Sequence, residues 1–110
     1  MSSIKEFRQI ALSFDDTSEV SHFEKRAFRS KKKIFATLVE ESGLGVALLS
    51  PADQYVFCKL DEINIYPVPN KWGLKGATCL NIRNISKEIL KEVLETAFSH
   101  SLQPVHSKKT

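Results

Sequence analysis

What most constrains the fold of this chain is that segments of helical periodicity alternate with short strand-like runs. Apolar residues recur every three or four positions in two segments, which we predict to be helices at residues 3–12 and 87–102, and a helix-start signal predicts a third helix at residues 51–60. The predicted strands are residues 22–29, 33–39, 44–49, 63–68 and 77–83. The order is α-β-β-β-α-β-β-α. Consecutive short strands indicate an antiparallel sheet against which the helices bury their apolar faces, so we predict an α+β two-layer sandwich with about five strands.

Two of the predicted helices begin with clear N-terminal signals. Ser50 can accept a hydrogen bond as N-cap, Pro51 suits the first turn, and Asp53 lies three residues beyond the cap. Ser86 can cap the last helix in the same way. Residues 13–21 are polar and are predicted to form a turn between the first helix and the first strand.

Length and composition favour one globular domain. A chain of 110 residues, 42% apolar and 26% charged, can bury a single core. We predict that the domain spans residues 1–102 and that residues 103–110, where the pattern ends, form a frayed tail. No apolar run of about 18 residues indicates a membrane span, and the first residues lack the apolar region of a signal peptide. We therefore expect a cytoplasmic protein without membrane contact.

Positive charge is concentrated in one predicted hairpin, the strands at residues 22–29 and 33–39. Residues 22–33 contain six lysines or arginines and one acid, Glu24, a local charge of +5 in a chain of net charge +3. The basic residues are Lys25, Arg26, Arg29, Lys31, Lys32 and Lys33. Like charges at this density repel one another, so an anionic partner would stabilise them.

Two interpretations of this basic hairpin remain open. It can bind the phosphates of DNA or another polyanion, and a two-stranded ribbon is slim enough to enter a major groove. Alternatively, it is a solvated hairpin at the sheet edge, whose lysines only prevent edge-to-edge aggregation.

The single tryptophan lies in a predicted loop between two lysines, Lys71-Trp72-Gly73-Leu74-Lys75-Gly76. It could stack on a base or a ligand ring, so we assign Lys71, Trp72 and Lys75 to the candidate site. The more ordinary expectation is that Trp72 folds back to cap the core while the glycines provide backbone bends. If Trp72 and the basic hairpin share a face, both binding interpretations become stronger together.

The sequence carries no signature of a metal site or a catalytic centre. His22, His100 and His106 are far apart and lack neighbouring ligands, whereas structural zinc needs about four. Cys58 and Cys79 have no CxxC spacing and are predicted to be reduced, buried thiols. We therefore predict no metal, no cofactor and no catalytic residue, and we expect that the protein is not an enzyme.

Several segments form a wider pattern across about residues 5–100. In chain order they are Ala11-Leu12, Glu19, His22-Phe23, Phe28-Arg29, residues 33–38, Pro67, Pro69, Trp72-Gly73, Gly76-Ala77-Thr78 and residues 94–98. The runs Lys-Ile-Phe-Ala-Thr and Trp-Gly-x-x-Gly-x-Thr, in this order, are its most specific part. This pattern resembles the MmcQ/YjbR family of small bacterial proteins. The chain departs from it at Lys31-Lys32, where many relatives have a glycine turn, and at Ala77, where many have an aromatic residue.

The resemblance implies a fold similar to the CyaY fold, with an antiparallel sheet packed on helices. Members of the family are often labelled DNA-binding, with a "double wing" character. Our leading hypothesis is therefore a small non-enzymatic protein that binds DNA through the basic hairpin with little sequence preference. The alternative hypothesis is a protein- or small-ligand-binding module that uses the sheet face or the Trp72 loop.

Overall fold

One antiparallel sheet with helices on one face forms the fold, as the α+β prediction requires. The computed structural model describes residues 2–22 and 25–103, so Phe23, Glu24 and all but the first residue of the predicted tail lie outside it. The elements are α1 (Ile4–Ser13), β1 (Ser18–His22), β2 (Lys25–Arg29), β3 (Ile34–Val39), β4 (Leu44–Leu48), α2 (Pro51–Leu60), β5 (Ile65–Pro67), α3 (Lys71–Leu74), β6 (Ala77–Asn81), a 3-10 turn (Ile82–Asn84) and α4 (Lys87–Ser101). No helix in this part of the chain is both long and apolar enough to cross a bilayer.

The two helices with predicted N-caps, α2 and α4, start where these signals place them. The Ser50 hydroxyl accepts a hydrogen bond from the Asp53 amide at 3.1 Å, and Pro51 opens α2. Ser86 accepts in the same way from the Ile89 amide at 3.2 Å. These caps satisfy amides that have no partner within the helix, so each helix begins at a fixed residue.

Within the described residues the sheet has six strands in the order β1-β2-β3-β4-β6-β5, with every neighbouring pair antiparallel. The helix-facing side builds the core, in which Phe28, Phe35 and Leu80 of the strands meet Phe7 of α1 and Leu94 of α4. All five side chains are fully buried. Burial of this apolar area is the main stabilising contribution to the fold.

The sixth strand corrects the sequence prediction. Residues 22–29 do not form one strand, because β1 ends at His22 and β2 begins at Lys25. Most of β1 lies inside residues 13–21, which were predicted to form a polar turn. Its sequence, Ser-Glu-Val-Ser-His, contains one apolar residue, so its pairing with β2 makes it a strand rather than its own composition.

The extra strand also changes the position of the basic hairpin. The hairpin is β2 and β3, and β1 lies outside it. The lysines therefore do not protect a sheet edge, since the edges are β1 and β5. Nor is the hairpin a separate ribbon that could enter a groove, because β1 and β4 pair with its two strands.

The side of the sheet turned away from the helices, called here the open face, carries an apolar row. Because side chains alternate along a strand, the register brings one residue of each strand into this row. Its members are Val20, Ala27, Thr37, Val46, Cys79 and Tyr66. None of these six residues is charged, whereas Lys25 and Arg29 lie two positions from Ala27 on the same face of β2, so the open face combines an uncharged row with flanking cations.

Candidate functional site

The turn between β2 and β3, called here the lysine turn (residues 30–33), is closed by a buried serine. The Ser30 amide donates to the Lys33 carbonyl oxygen at 2.9 Å. The Ser30 hydroxyl oxygen accepts from the amides of Lys32 and Lys33 at 3.2 and 3.3 Å. The same oxygen lies 2.9 Å from the hydroxyl of Ser101, at the end of α4. The backbone of the turn is thus fixed to the helix layer, while the lysine side chains are exposed.

Most of the predicted basic residues keep unbalanced charges. Among the described residues, the exposed cations of this hairpin without a carboxylate within 4.0 Å are Lys25, Arg29, Lys31, Lys32 and Lys33. Arg26 differs, since its guanidinium lies 2.7 Å from a Glu19 oxygen and 3.1 Å from a Glu40 oxygen. We therefore expect Arg26 to hold strands together rather than to attract a distant anion.

Glu19 joins α1 to the basic end of the sheet. Its two carboxylate oxygens lie 2.8 Å from Arg8 and 2.7 Å from Arg26. Burial alone would raise the pKa of Glu19, but the hydrogen bonds and charges of the two arginines outweigh it, so the pKa lies below its ordinary value of 4.5. The carboxylate therefore stabilises the folded state in its ionised form.

We expect Glu19→Gln to lower the free energy of unfolding by about 1–2 kcal/mol at neutral pH, between the values of exposed ion pairs and of hydrogen bonds to charged groups. Because the folded-state pKa is depressed, this contribution is fully present above the unfolded pKa of 4.5 and is lost as pH falls through the folded-state pKa. Urea denaturation of both proteins from about pH 7 to about pH 3 measures the difference, which should shrink under acid conditions. A difference that stays constant across this range would contradict the assignment.

The Trp72 loop is one helical turn, α3, held by side-chain hydrogen bonds at its start and beneath it. The Asn70 side chain accepts from the Trp72 amide at 2.8 Å and caps the turn. The buried side-chain amide of Gln54, on α2, donates to the carbonyl oxygens of Gly73 and Ala77 at 2.9 and 3.0 Å. The loop is therefore fixed in place by contacts that do not involve the indole ring.

Trp72 points into solvent, with 65% of its surface exposed. The expectation that it caps the core is therefore wrong. The reason is that the turn packs through the backbone of Gly73, where an added Cβ would lie 1.8 Å from the Val68 carbonyl oxygen. This close approach leaves Trp72 on the outer side, where the Lys75 ammonium lies 5.6 Å from the ring centroid.

A cleft of about 220 Å³ lies between the lysine turn and the Trp72 loop. It is lined by Lys33, Ile34, Leu48, Leu49, Trp72, Lys75, Ala77, His100 and Ser101. The structure thus brings together three of the predicted site residues, Lys33, Trp72 and Lys75. Lys71 is exposed at the start of α3 and does not line the cleft.

Lys25 lies on a neighbouring groove of the open face, of about 310 Å³. This groove is lined by Val20, Lys25, Ala27, Ile34 and Thr37. Ile34 lines both the groove and the cleft, and it pairs with Arg29 across β2 and β3. The basic strand β2 and the cleft therefore form adjoining parts of one surface.

Sequence reasoning missed three contributors to this site. Gln54 supports the Trp72 loop, Ser101 fixes the lysine turn, and His100 lines the cleft. Gln54 and Ser101 form hydrogen bonds with residues that are 19 and 71 positions away in the chain, and neither belongs to a motif. Only the unexpected burial of such polar groups marks them, and burial is visible in the folded structure alone.

The described residues offer little to metal or thiol chemistry. No group of three or more histidine, cysteine, aspartate or glutamate side chains is placed to hold a metal ion in this part of the chain. Cys58 and Cys79 are free thiols, Cys79 being buried and Cys58 partly buried. Burial raises the pKa of both thiols, and the charge of Glu62 raises that of Cys58 further. An activated cysteine needs the opposite shift, so neither thiol has the environment of a nucleophile.

Comparison with solved structures shows a similar fold in the Deinococcus radiodurans protein DR2400, which has a DUF419 domain. The TM-score is 0.75 at 15% sequence identity, and the match covers 89% of this chain and 77% of the other. At this identity the likeness shows the fold alone. No family model matches the chain, and no curated protein matches it.

Proposed function

We propose that this protein binds nucleic acid, DNA foremost, or another polyanion, mainly through phosphates and with little sequence preference. The observation that carries this proposal is the cleft in which Lys33 and Lys75 stand beside the exposed ring of Trp72. Lys33 of the basic hairpin and Trp72 share one surface. This arrangement supports phosphate binding by the hairpin and stacking on the tryptophan together.

The charges of this surface favour phosphate groups over a single carboxylate partner. Lys31, Lys32 and Lys33 follow one another on an exposed turn, with Lys25 and Arg29 on the adjoining strand. A row of cations suits a row of phosphates, because each neutralised phosphate releases a condensed counterion. Backbone contacts of this kind carry no sequence information, which supports a weak sequence preference.

The experiment that tests this proposal is fluorescence anisotropy of labelled single-stranded and duplex DNA, titrated with the protein at about 50 and about 200 mM salt. We expect binding at the lower salt concentration that weakens steeply at the higher one. Absence of binding at about 50 mM salt to either form of DNA would overturn the proposal.

We also propose that the chain is a cytoplasmic, non-enzymatic member of the MmcQ/YjbR family. The two specific runs quoted above support this relationship, and the α+β fold agrees with what the family resemblance implies. Two free thiols suit a reducing compartment. The raised pKa values of both thiols support a role without thiol catalysis.

A second candidate function is supported by the open face. In its row Val20 is exposed and Thr37, Val46 and Tyr66 are partly exposed, and exposed apolar surfaces are common docking sites for protein partners. The same candidate function, a binding module, includes the binding of a small ligand in the cleft. The volume of about 220 Å³ is below the roughly 300–1,000 Å³ of typical small-molecule pockets, so a ligand there would insert one flat group.

A further inference from the structure

We propose that the cleft holds one unpaired base of a single-stranded nucleic acid, stacked on Trp72, with the flanking phosphates on Lys33 and Lys75. This inference rests on the proposed function and deepens it, because it names the form of nucleic acid that the site prefers.

The first argument is the composition of the cleft. Four of its lining residues are aliphatic, namely Ile34, Leu48, Leu49 and Ala77, and the polar ones are Lys33, Lys75, His100 and Ser101. The aliphatic side chains suit the flat face or edge of an aromatic group, and the two lysines suit the phosphates that flank it. The small volume fits one base rather than a whole small molecule.

The second argument is the state of the indole ring. Trp72 is 65% exposed, although its backbone is fixed by Asn70. A tryptophan that is held in position yet left in solvent offers a stacking platform, and every base has a face that can stack on it. In the free protein the Lys75 ammonium lies over this ring at 5.6 Å, near the limit of a cation–π contact. A stacked base takes the place of the ammonium, which is then free to contact a phosphate.

The third argument is that the strands of the basic hairpin cannot follow a duplex groove. Six strands at about 4.8 Å spacing form a sheet about 24 Å wide, twice the width of a major groove of about 12 Å. The cleft, in contrast, lies between a turn and a loop and accepts a group that has left the base stack. In a duplex the bases are stacked on their neighbours and are not available to Trp72.

The experiment uses the fact that Trp72 is the single tryptophan of the chain, so that protein fluorescence reports on the cleft directly. The probes are an oligothymidylate of about 10 nucleotides and an abasic deoxyribose-phosphate oligomer of the same length. We expect the oligothymidylate to quench the tryptophan emission and to bind about 5- to 150-fold more tightly than the abasic oligomer, the range that one stacked base contributes. The same oligonucleotide in a duplex should lose this advantage.

Variants at two neighbouring positions separate stacking from charge. Trp72→Ala should lose the preference for oligothymidylate over the abasic oligomer, as measured by anisotropy with labelled probes, whereas Trp72→Phe should keep part of it. Leu74→Ala is the matched control, because Leu74 is 82% exposed on the same turn and does not line the cleft. It should retain the full preference.

The outcomes distinguish this inference from the function on which it rests. Equal binding of the two oligomers, or binding without a change in tryptophan emission, would overturn the stacking site and leave phosphate binding intact. No binding of either oligomer would overturn the proposed function and the stacking site together.

Discussion

Replacing Lys31, Lys32 and Lys33 by alanine is expected to weaken DNA binding at low salt by about 10- to 1,000-fold. The slope of log affinity against log salt should fall by about 2 to 3, since each phosphate contact contributes about 0.9. The physical reason is that these side chains are exposed and have no described carboxylate within 4.0 Å, so their charge is available to an anion. The loss should be about equal for all DNA sequences, because phosphate contacts do not read bases.

The matched control removes three lysines from the far end of the molecule. Lys5 lies on α1, and Lys87 and Lys91 lie in the first two turns of α4. Lys87 is about 21 Å along the helix axis from Ser101, and its ammonium is 3.9 Å from a Glu6 oxygen in an exposed pair that contributes little. Replacing the three lysines by alanine lowers the net charge from +3 to 0, as the first triple variant does. If both variants lose affinity equally, net charge alone drives binding and the lysine turn has no special role.

Gly73→Ala is expected to lower the free energy of unfolding by about 3 kcal/mol or more, the upper range for overpacking. An added Cβ would lie 1.8 Å from the Val68 carbonyl oxygen, and this contact is with backbone. The Val68 amide donates to Ala77, and the Gly73 carbonyl accepts from Gln54, so neither side of the contact can move freely. Chemical denaturation of the variant beside the wild type measures the loss.

Lys71→Ala provides the comparison within the same turn. Lys71 is exposed, and its replacement should change stability by no more than about 0.5 kcal/mol. A Gly73→Ala variant as stable as Lys71→Ala would show that the turn does not pack on Val68 as closely as the structure has it.

The parts of the fold that the sequence predicted well are those determined by local interactions. Ser50 and Ser86 begin helices through hydrogen bonds to residues three positions later, so a short stretch of sequence contains all the information. Strand β1 was missed because it is polar and lies at an edge, where only its partner β2 makes it a strand. A strand of this kind has no pattern of its own to recognise.

Of the candidate site, the sequence predicted only the concentration of positive charge. The lysines are consecutive in the chain, so their concentration is visible in the sequence. The proximity of Trp72 is not visible there, because β6 pairs with β4 and so carries the loop before β6 to the beginning of β3. The ion pair of Arg26 with Glu19 also crosses strands, and the sequence does not show it because Glu19 lies on β1, a strand without a pattern of its own.

Binding through a turn that is already ordered saves conformational entropy. A loose segment must be fixed when its partner arrives, and ordering the backbone costs about 1–2 kcal/mol per residue. Here the buried hydroxyls of Ser30 and Ser101 hold the turn before any partner is present, so only the lysine side chains lose freedom on binding. The contact of Ser101, in the last turn of α4, with Ser30, 71 positions away in the chain, thus lowers the entropy cost of binding. A larger part of the attraction between lysine and phosphate then remains as net affinity.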